Sequence, residues 1–365
     1  MIEKKEIQCA SYCVSRKGKI ILQGAVGPRS FEEGCQDGVL PDSICPVASI
    51  TKVFCAVALM QLIENGLARL DTPVGEILPQ FNTPPYNKIT LFQLLSHTSG
   101  LEPDENTYED KYRVSPWKHI EDDSKGCENL KEFDWISSAL KIGLRKEPGT
   151  EWQYCSFGFV ILGAVIEKLS GEFASDYIQK HILDPLGMKD SGFNVPKDKI
   201  GRMFCRNEEE KEIGEEVLSG ALSENIDAGT IWEYIPPMGG GMLSTAPDLV
   251  RFGNMMLNKG RLDGVRILGR KTVEKMTTNQ LHNIPDNCWE SCEKDRRYGV
   301  GFDMRTGLAY HYSDNTFMHE GAGACCLVID PVEEMVASWF VPFIGDNWYA
   351  HGLYNVTNII WSGLI

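Results

Sequence analysis

The sequence predicts an α+β fold: an antiparallel sheet formed by both chain ends, flanking helices, and an inserted helical lobe. Three observations predict it. Short β-rich segments bounded by turn residues cluster before residue 50 and after residue 290. Helical spacing of apolar residues dominates the stretch between them. The 365 residues exceed the roughly 250 to 300 that one core usually organises, and the 42% that are hydrophobic can fill a core with a lobe attached. The expected organisation is a single domain over residues 1–365, with the sheet part at about 1–50 and 290–365 and the lobe at about 51–289.

Taken in order, residues 7–14 and 19–26 read as a hairpin, because Ser15-Arg16-Lys17-Gly18 separates two β-rich runs and Gly18 can supply the turn. Residues 53–66 read as a helix stopped at Gly66, and 91–96 as a short one. Residues 156–171 carry Val160, Ile161, Leu162, Val165, Ile166 and Leu169 at helical spacing. Strands are expected again at 298–304, 324–329 and 335–341, and a helix over 348–361 should pack on the sheet. Two polar excursions, 102–130 and 195–216, read as solvated loops, and no internal repeat is present.

Thirty-six basic residues against 51 acidic ones give a formal charge of -15, which repels phosphate backbones and anionic lipid, so no nucleic-acid or membrane partner is expected. No N-terminal apolar segment follows Met1-Ile2-Glu3-Lys4-Lys5, and no run approaches the roughly 18 apolar residues of a membrane helix. The 12 cysteines are scattered without a CxxC, and several sit in apolar runs, as Cys55, Cys325 and Cys326 do. Free buried thiols in a reducing, cytoplasmic setting are the expectation. The histidines lack metal-ligand spacing and Gly239-Gly240-Gly241 lacks the lysine and helix of a phosphate loop, so neither a metal nor a cofactor is expected. The three glycines read instead as a turn of closely approaching backbone.

The chemistry begins at Ser49-Ile50-Thr51-Lys52, at the head of the apolar run 53–63. A helix puts positions i and i+3 on one face, so the Lys52 amine can reach the Ser49 hydroxyl and take its proton when neutral. By itself a Ser at a helix start is more often only a cap. Further motifs follow in order: Leu94-Leu95-Ser96-His97-Thr98-Ser99-Gly100-Leu101, then Pro148-Gly149-Thr150-Glu151-Trp152-Gln153-Tyr154-Cys155-Ser156, then Gly239-Gly240-Gly241-Met242-Leu243-Ser244, and finally His319-Glu320-Gly321. Together they resemble the superfamily of class C β-lactamases, serine D-peptidases and family VIII-type carboxylesterases, over nearly the whole chain.

That resemblance implies a β-lactamase/transpeptidase-like fold and a serine hydrolase working through an acyl-enzyme on Ser49. Lys52 would be the base, lowered toward neutrality by burial and a positive neighbourhood, and Tyr154 would shuttle the proton to the leaving group. The backbone N–H groups of Ser49 and Ala322 would form the oxyanion hole, with Gly321 letting the backbone approach. Ser156, His319, Glu320 and Gly321 would bind substrate, and Tyr108, Tyr112 and Trp117 would reach it from the variable loop. Two departures bear on specificity. Ser156 stands where the family commonly has an asparagine amide, and His319-Glu320-Gly321 stands where β-lactamases have Lys-Thr-Gly, whose cation binds a penicillin carboxylate that Glu320 would repel.

The expected substrate is therefore a small ester or amide, cleaved by a carboxylesterase or D-peptidase-like amidase. The alternatives are an acyltransferase of the same fold, a non-catalytic binding homologue, and, disfavoured by Glu320, a true β-lactamase. Members of the superfamily usually begin with a helix on the outer sheet face, whereas a strand is expected here by about Ile7. Part of that face should be bare, which predicts a homodimer or higher oligomer.

Overall fold

The computed structural model describes residues 2–4, 7–29, 37–105, 107–108, 114–204, 229–323, 325–341 and 349–364. Strands β1 (Ala10–Arg16) and β2 (Lys19–Val26) form the expected hairpin. Its two turn residues, Lys17 and Gly18, both have positive φ, at 52° and 72°, as the twist of a two-residue hairpin requires. The chain then runs to α1 (Thr51–Glu64), a helix buried nearly all round, which ends as Gly66 turns left-handed at φ 78°. A Thr90/Gln93 capping box opens the short α2 (Leu91–Leu95). Helix α3 (Ser156–Ser170) ends on left-handed Gly171, and α4 (Ala246–Leu257) is capped by the Thr245 side chain.

The chain's end supplies β3 (Phe317–Gly321), β4 (Cys325–Asp330), β5 (Met335–Phe340) and α5 (Asn355–Ser362). All five strands form one antiparallel sheet in the order β2-β1-β5-β4-β3, so both ends of the chain do build it. β4 and β5 are buried on both faces. On the inner face α4 lies so close that a Cβ at Gly253 would collide with Val336, and Phe54 of α1 packs its ring 4.1 Å from Phe252 of α4. Tyr312, Leu353 and Trp361 close over the outer face against Val14, Val328 and Trp339. Two indole hydrogen bonds fix this layer: Trp361 Nε1 donates to Asp330 Oδ2 at 3.0 Å and Trp339 Nε1 to the Gly352 carbonyl at 2.7 Å.

Three elements differ from expectation. Residues 298–304 are not a sheet strand, and β3 occupies the edge instead. The reason is where the first part of this stretch bonds: Val300 N–H goes to Met276 O at 2.9 Å and Gly301 N–H to Leu95 O at 3.1 Å, both in the lobe, and the stretch meets β3 only through a single bridge from Asp303 to Met318. Within the 102–130 excursion, residues Pro116–Ser124 form a helix capped by Ser115. The 195–216 excursion begins with a helical turn over Lys197–Arg202, and its remainder beyond residue 204 lies outside the described residues. No helix among the described residues is long and apolar enough to cross a membrane.

Candidate active site

Ser49 sits in a single tight turn, Ala48–Ile50, that feeds directly into α1. Ala48 enters it left-handed at φ 44°, a conformation costly for a non-glycine residue. The turn is held from behind. Val47 N–H bonds Met242 O at 2.9 Å, and Thr51 Oγ1 donates to Ala48 O at 2.6 Å while accepting from Met242 N–H at 3.1 Å. The glycine run is the expected close approach, since a Cβ on Gly239 would stand 3.2 Å from Ser156.

One helical turn after Ser49, Lys52 is fully buried, and its amine has three partners: Ser49 Oγ at 3.0 Å, Ser156 Oγ at 2.9 Å and Gly239 O at 2.6 Å. Burial lowers its pKa from 10.5 to about 8, and Asp104 partly offsets that by attracting the ammonium form. The partners fix the direction of each bond. The Gly239 carbonyl can only accept, and the Ser156 hydroxyl gives its proton to Asp104 Oδ2 at 2.5 Å, so it too accepts from Lys52. A neutral amine thus spends both N–H groups on these two oxygens and keeps its lone pair for Ser49.

Tyr154 hydrogen-bonds Ser49 through its side chain, and its ring centroid is 4.9 Å from Lys52 Nζ. Burial, reinforced by the Asp104 charge, holds its phenol pKa well above 10, so it stays a proton donor. His97 stacks behind Tyr154 at 4.6 Å and accepts the Cys155 N–H at 3.1 Å, a packing role. On the opposite wall, a Cβ at Gly321 would collide with the Val47 carbonyl, so only glycine lets β3 lie this close to the Ser49 turn. His319 Nδ1 donates to Glu320 O at 2.7 Å; burial lowers its pKa to about 4, leaving a neutral ring whose Nε2 has no partner among the described residues.

These side chains line one cleft of about 190 Å³, which brings together Ser49, Tyr154, His319, Glu320 and Ala322. Ser156 is drawn in behind Lys52. Five further lining residues are not among the site residues that the sequence suggests: Asp104, Trp289, Tyr298, Asp303 and Arg305. Arg305 changes the meaning of Glu320, because Nη2 meets Glu320 Oε1 at 2.8 Å. Its Nε also bonds Asp303 Oδ2 at 2.7 Å, an oxygen shared with Arg296 Nη2 at 2.8 Å. Glu320 is thus a paired carboxylate, where the sequence suggests a bare one. No periodic pattern joins Arg305 to Glu320, since the connecting segment is irregular.

Of the loop aromatics, Tyr108 and Trp117 are not brought to this cleft. Tyr108 gives its hydroxyl to Glu151 at 2.8 Å and packs under Arg145, 4.4 Å from the ring. Trp117 packs in the lobe against Phe157 at 5.4 Å and Trp232 at 6.1 Å. Both rings satisfy themselves in local clusters, and neither lines the cleft among the described residues. Tyr112 lies outside the described residues.

The model of the beta-lactamase family matches residues 1–342. Penicillin-binding protein 4 of Amycolatopsis lactamdurans is 29% identical over 299 residues, covering 77% of this chain and 71% of that one. Esterase EstB of Burkholderia gladioli is 32% identical over 203 residues, 53% of this chain and 48% of its own length. The octameric penicillin-binding protein homologue from Pyrococcus abyssi has the same fold, with a TM-score of 0.69 at 22% identity over 98% of this chain and 75% of that one.

Proposed function

Since this chain belongs to the beta-lactamase family, we propose that it is a serine hydrolase cleaving an ester or a small amide or peptide bond through an acyl-enzyme on Ser49. The observation that carries the reading is the buried Lys52 amine, 3.0 Å from Ser49 Oγ and lowered to a pKa of about 8. In the reading, Lys52 takes the Ser49 proton as Oγ bonds to the substrate carbonyl carbon. The Ser49 and Ala322 N–H groups receive the oxyanion. As the ester or amide bond breaks, the proton passes through Tyr154 to the leaving oxygen or nitrogen. Water then repeats the sequence on the acyl-enzyme, with Lys52 again taking the proton.

Fluorophosphonate treatment followed by intact mass tests this directly. One adduct mapping to Ser49, with turnover of short-chain nitrophenyl esters lost in Ser49→Ala, is the expected result; an adduct on another serine refutes the assignment. Absence of both adduct and turnover selects the non-catalytic alternative. Adding an alcohol to the ester assay separates transfer from hydrolysis, since a transferase returns a new ester in place of the acid. β-Lactamase activity is disfavoured by Glu320, with Arg305 already committed to it.

We also propose a cytoplasmic protein that assembles as a homo-oligomer. Buried, reduced thiols such as Cys9, Cys13, Cys55 and Cys155 support the first part. Apolar side chains standing half-exposed on β2 support the second, as does the octameric homologue.

A further inference from the structure

Asp104 lies 55 residues after Ser49 and 50 before Tyr154, yet it holds the residue that replaces the family's usual amide. Its two carboxylate oxygens take both donors of Ser156: Oδ1 accepts the backbone N–H at 2.6 Å and Oδ2 the hydroxyl at 2.5 Å. Its own N–H returns to the Tyr154 carbonyl at 3.0 Å, closing a clamp on residues 154–156. Ser156 begins α3, so the carboxylate also faces the positive end of a 15-residue helix. The hydroxyl has one proton and gives it to Asp104, which leaves its lone pairs to accept from Lys52 at 2.9 Å. The order Lys52 to Ser156 to Asp104 is fixed by this count.

We propose that Asp104 is a positioning residue: acting through the Ser156 hydroxyl, it keeps the Lys52 lone pair on Ser49 and sets how readily the amine takes a proton. Where the family commonly has an asparagine amide, this chain has a hydroxyl backed by a carboxylate, which adds a charge that an amide lacks. The inference rests on the hydrolase reading above. When Lys52 takes the Ser49 proton, the new ammonium faces Asp104 across one hydroxyl; no proton leaves Lys52 until Tyr154 passes one to the leaving group, so the balance of the proposed step is unchanged. The other groups facing the amine carry no such charge. Cys55 on α1 and Cys155 before α3 are thiols pushed upward by burial, Tyr154 is a neutral phenol, and His97 and His319 are pushed toward neutrality. Of the charged groups acting on Lys52, Asp104 acts most strongly.

The test is the pH dependence of kcat/KM on a nitrophenyl ester. The neutral amine is the active form and the carboxylate favours the ammonium, so Asp104→Asn should move the acid limb to lower pH. A shift of about 0.5 to 1 pH unit is expected, below the 1 to 3 units given by an opposite charge in direct contact. Asp104→Glu, which restores the charge, should return the limb toward the parent position. A purely structural role would lower kcat in Asp104→Asn and leave the limb in place, and that result, or a shift upward, overturns the proposal. Should Asp104→Asn not fold, Ser156→Ala decides: kcat must fall with KM little changed, and parental kcat overturns it. Fluorophosphonate labelling of the parent protein runs alongside. No adduct on Ser49 means the hydrolase reading has failed, whereas labelling with an unmoved limb means only this inference has.

Discussion

Lys52 combines two demands that oppose each other, since burying an amine costs stability while lowering its pKa makes it a base. A shift from 10.5 to about 8 in a fully buried group corresponds to up to about 3 kcal/mol. The sign follows from proton counting. Between those two values the unfolded chain binds the proton and the folded one does not, so folding gains stability as pH rises through the window and loses it as pH falls toward 8. Lys52→Met should therefore be inactive yet melt higher at pH 7, with the gain shrinking toward pH 10; a lower melting temperature at pH 7 would show that the three hydrogen bonds of the amine outweigh its desolvation. Activity of the parent enzyme should rise with an apparent pKa near 8, measured as kcat/KM against pH. His319, at about 4, should add no limb above pH 6. Ser49, Lys52 and Tyr154 are legible in the sequence because helical spacing joins the first two and an ordered motif marks the third. Asp104 and Arg305 are not, because they reach Ser156 and Glu320 from irregular segments with no period to reveal them.

The hairpin, α1, α3 and the two central strands follow from local pattern and turn chemistry, which is why their expected and observed ranges agree closely. The edge strand does not. Residues 298–304 have the composition of a strand, but Gly299 and Gly301 let the backbone turn into the lobe, and β3 takes the place beside β4. That exchange matters for the site, because β3 carries His319 and Glu320 and ends against the Ser49 turn. Gly321 is the point of closest approach. Gly321→Ala must move either β3 or the Val47 carbonyl, which should cost about 1 to 3 kcal/mol, the range for overpacking, and should widen the gap between the Ser49 and Ala322 N–H groups. We expect kcat on a nitrophenyl ester to fall by about 10- to 1000-fold, the scale of a lost or misaligned oxyanion donor, with KM changing less. Parental kcat in Gly321→Ala would remove the oxyanion role from this end of the strand.

Across the whole molecule two surfaces carry expectations, the open sheet edge and the cleft. On β2, Leu22 and Val26 pair with Val14 and Ala10, so they share the face that α5 covers further along, yet they are 47% and 51% exposed. Among the described residues no strand pairs with the outer side of β2, and an apolar edge strand is a template for pairing. Light scattering at micromolar concentration should report a dimer or larger species, and Leu22→Glu should shift it toward monomer; a monomeric mass for the parent refutes the assembly. Of the carboxylates that line the cleft, Asp303 and Glu320 are paired with Arg305, and Asp303 also with Arg296 from outside it. Asp104 is the carboxylate that these ion pairs leave over, and its counter-charge is Lys52, which is absent whenever Lys52 is neutral and ready to act. The reacting state of the cleft is therefore net negative within a chain of charge -15, and such a field concentrates cations and repels anions. Among matched esters, neutral and amine-bearing substrates should show higher kcat/KM than carboxylates, by a margin smaller than an unpaired Glu320 would give. Arg305→Ala should widen the margin by freeing Glu320, and added salt should narrow the part owed to exposed charges, screened over roughly 8 to 10 Å at physiological ionic strength. Faster turnover of the anionic ester by the parent enzyme would mean that Arg305 leaves Glu320 to meet substrate, and would reverse the assignment of charge preference.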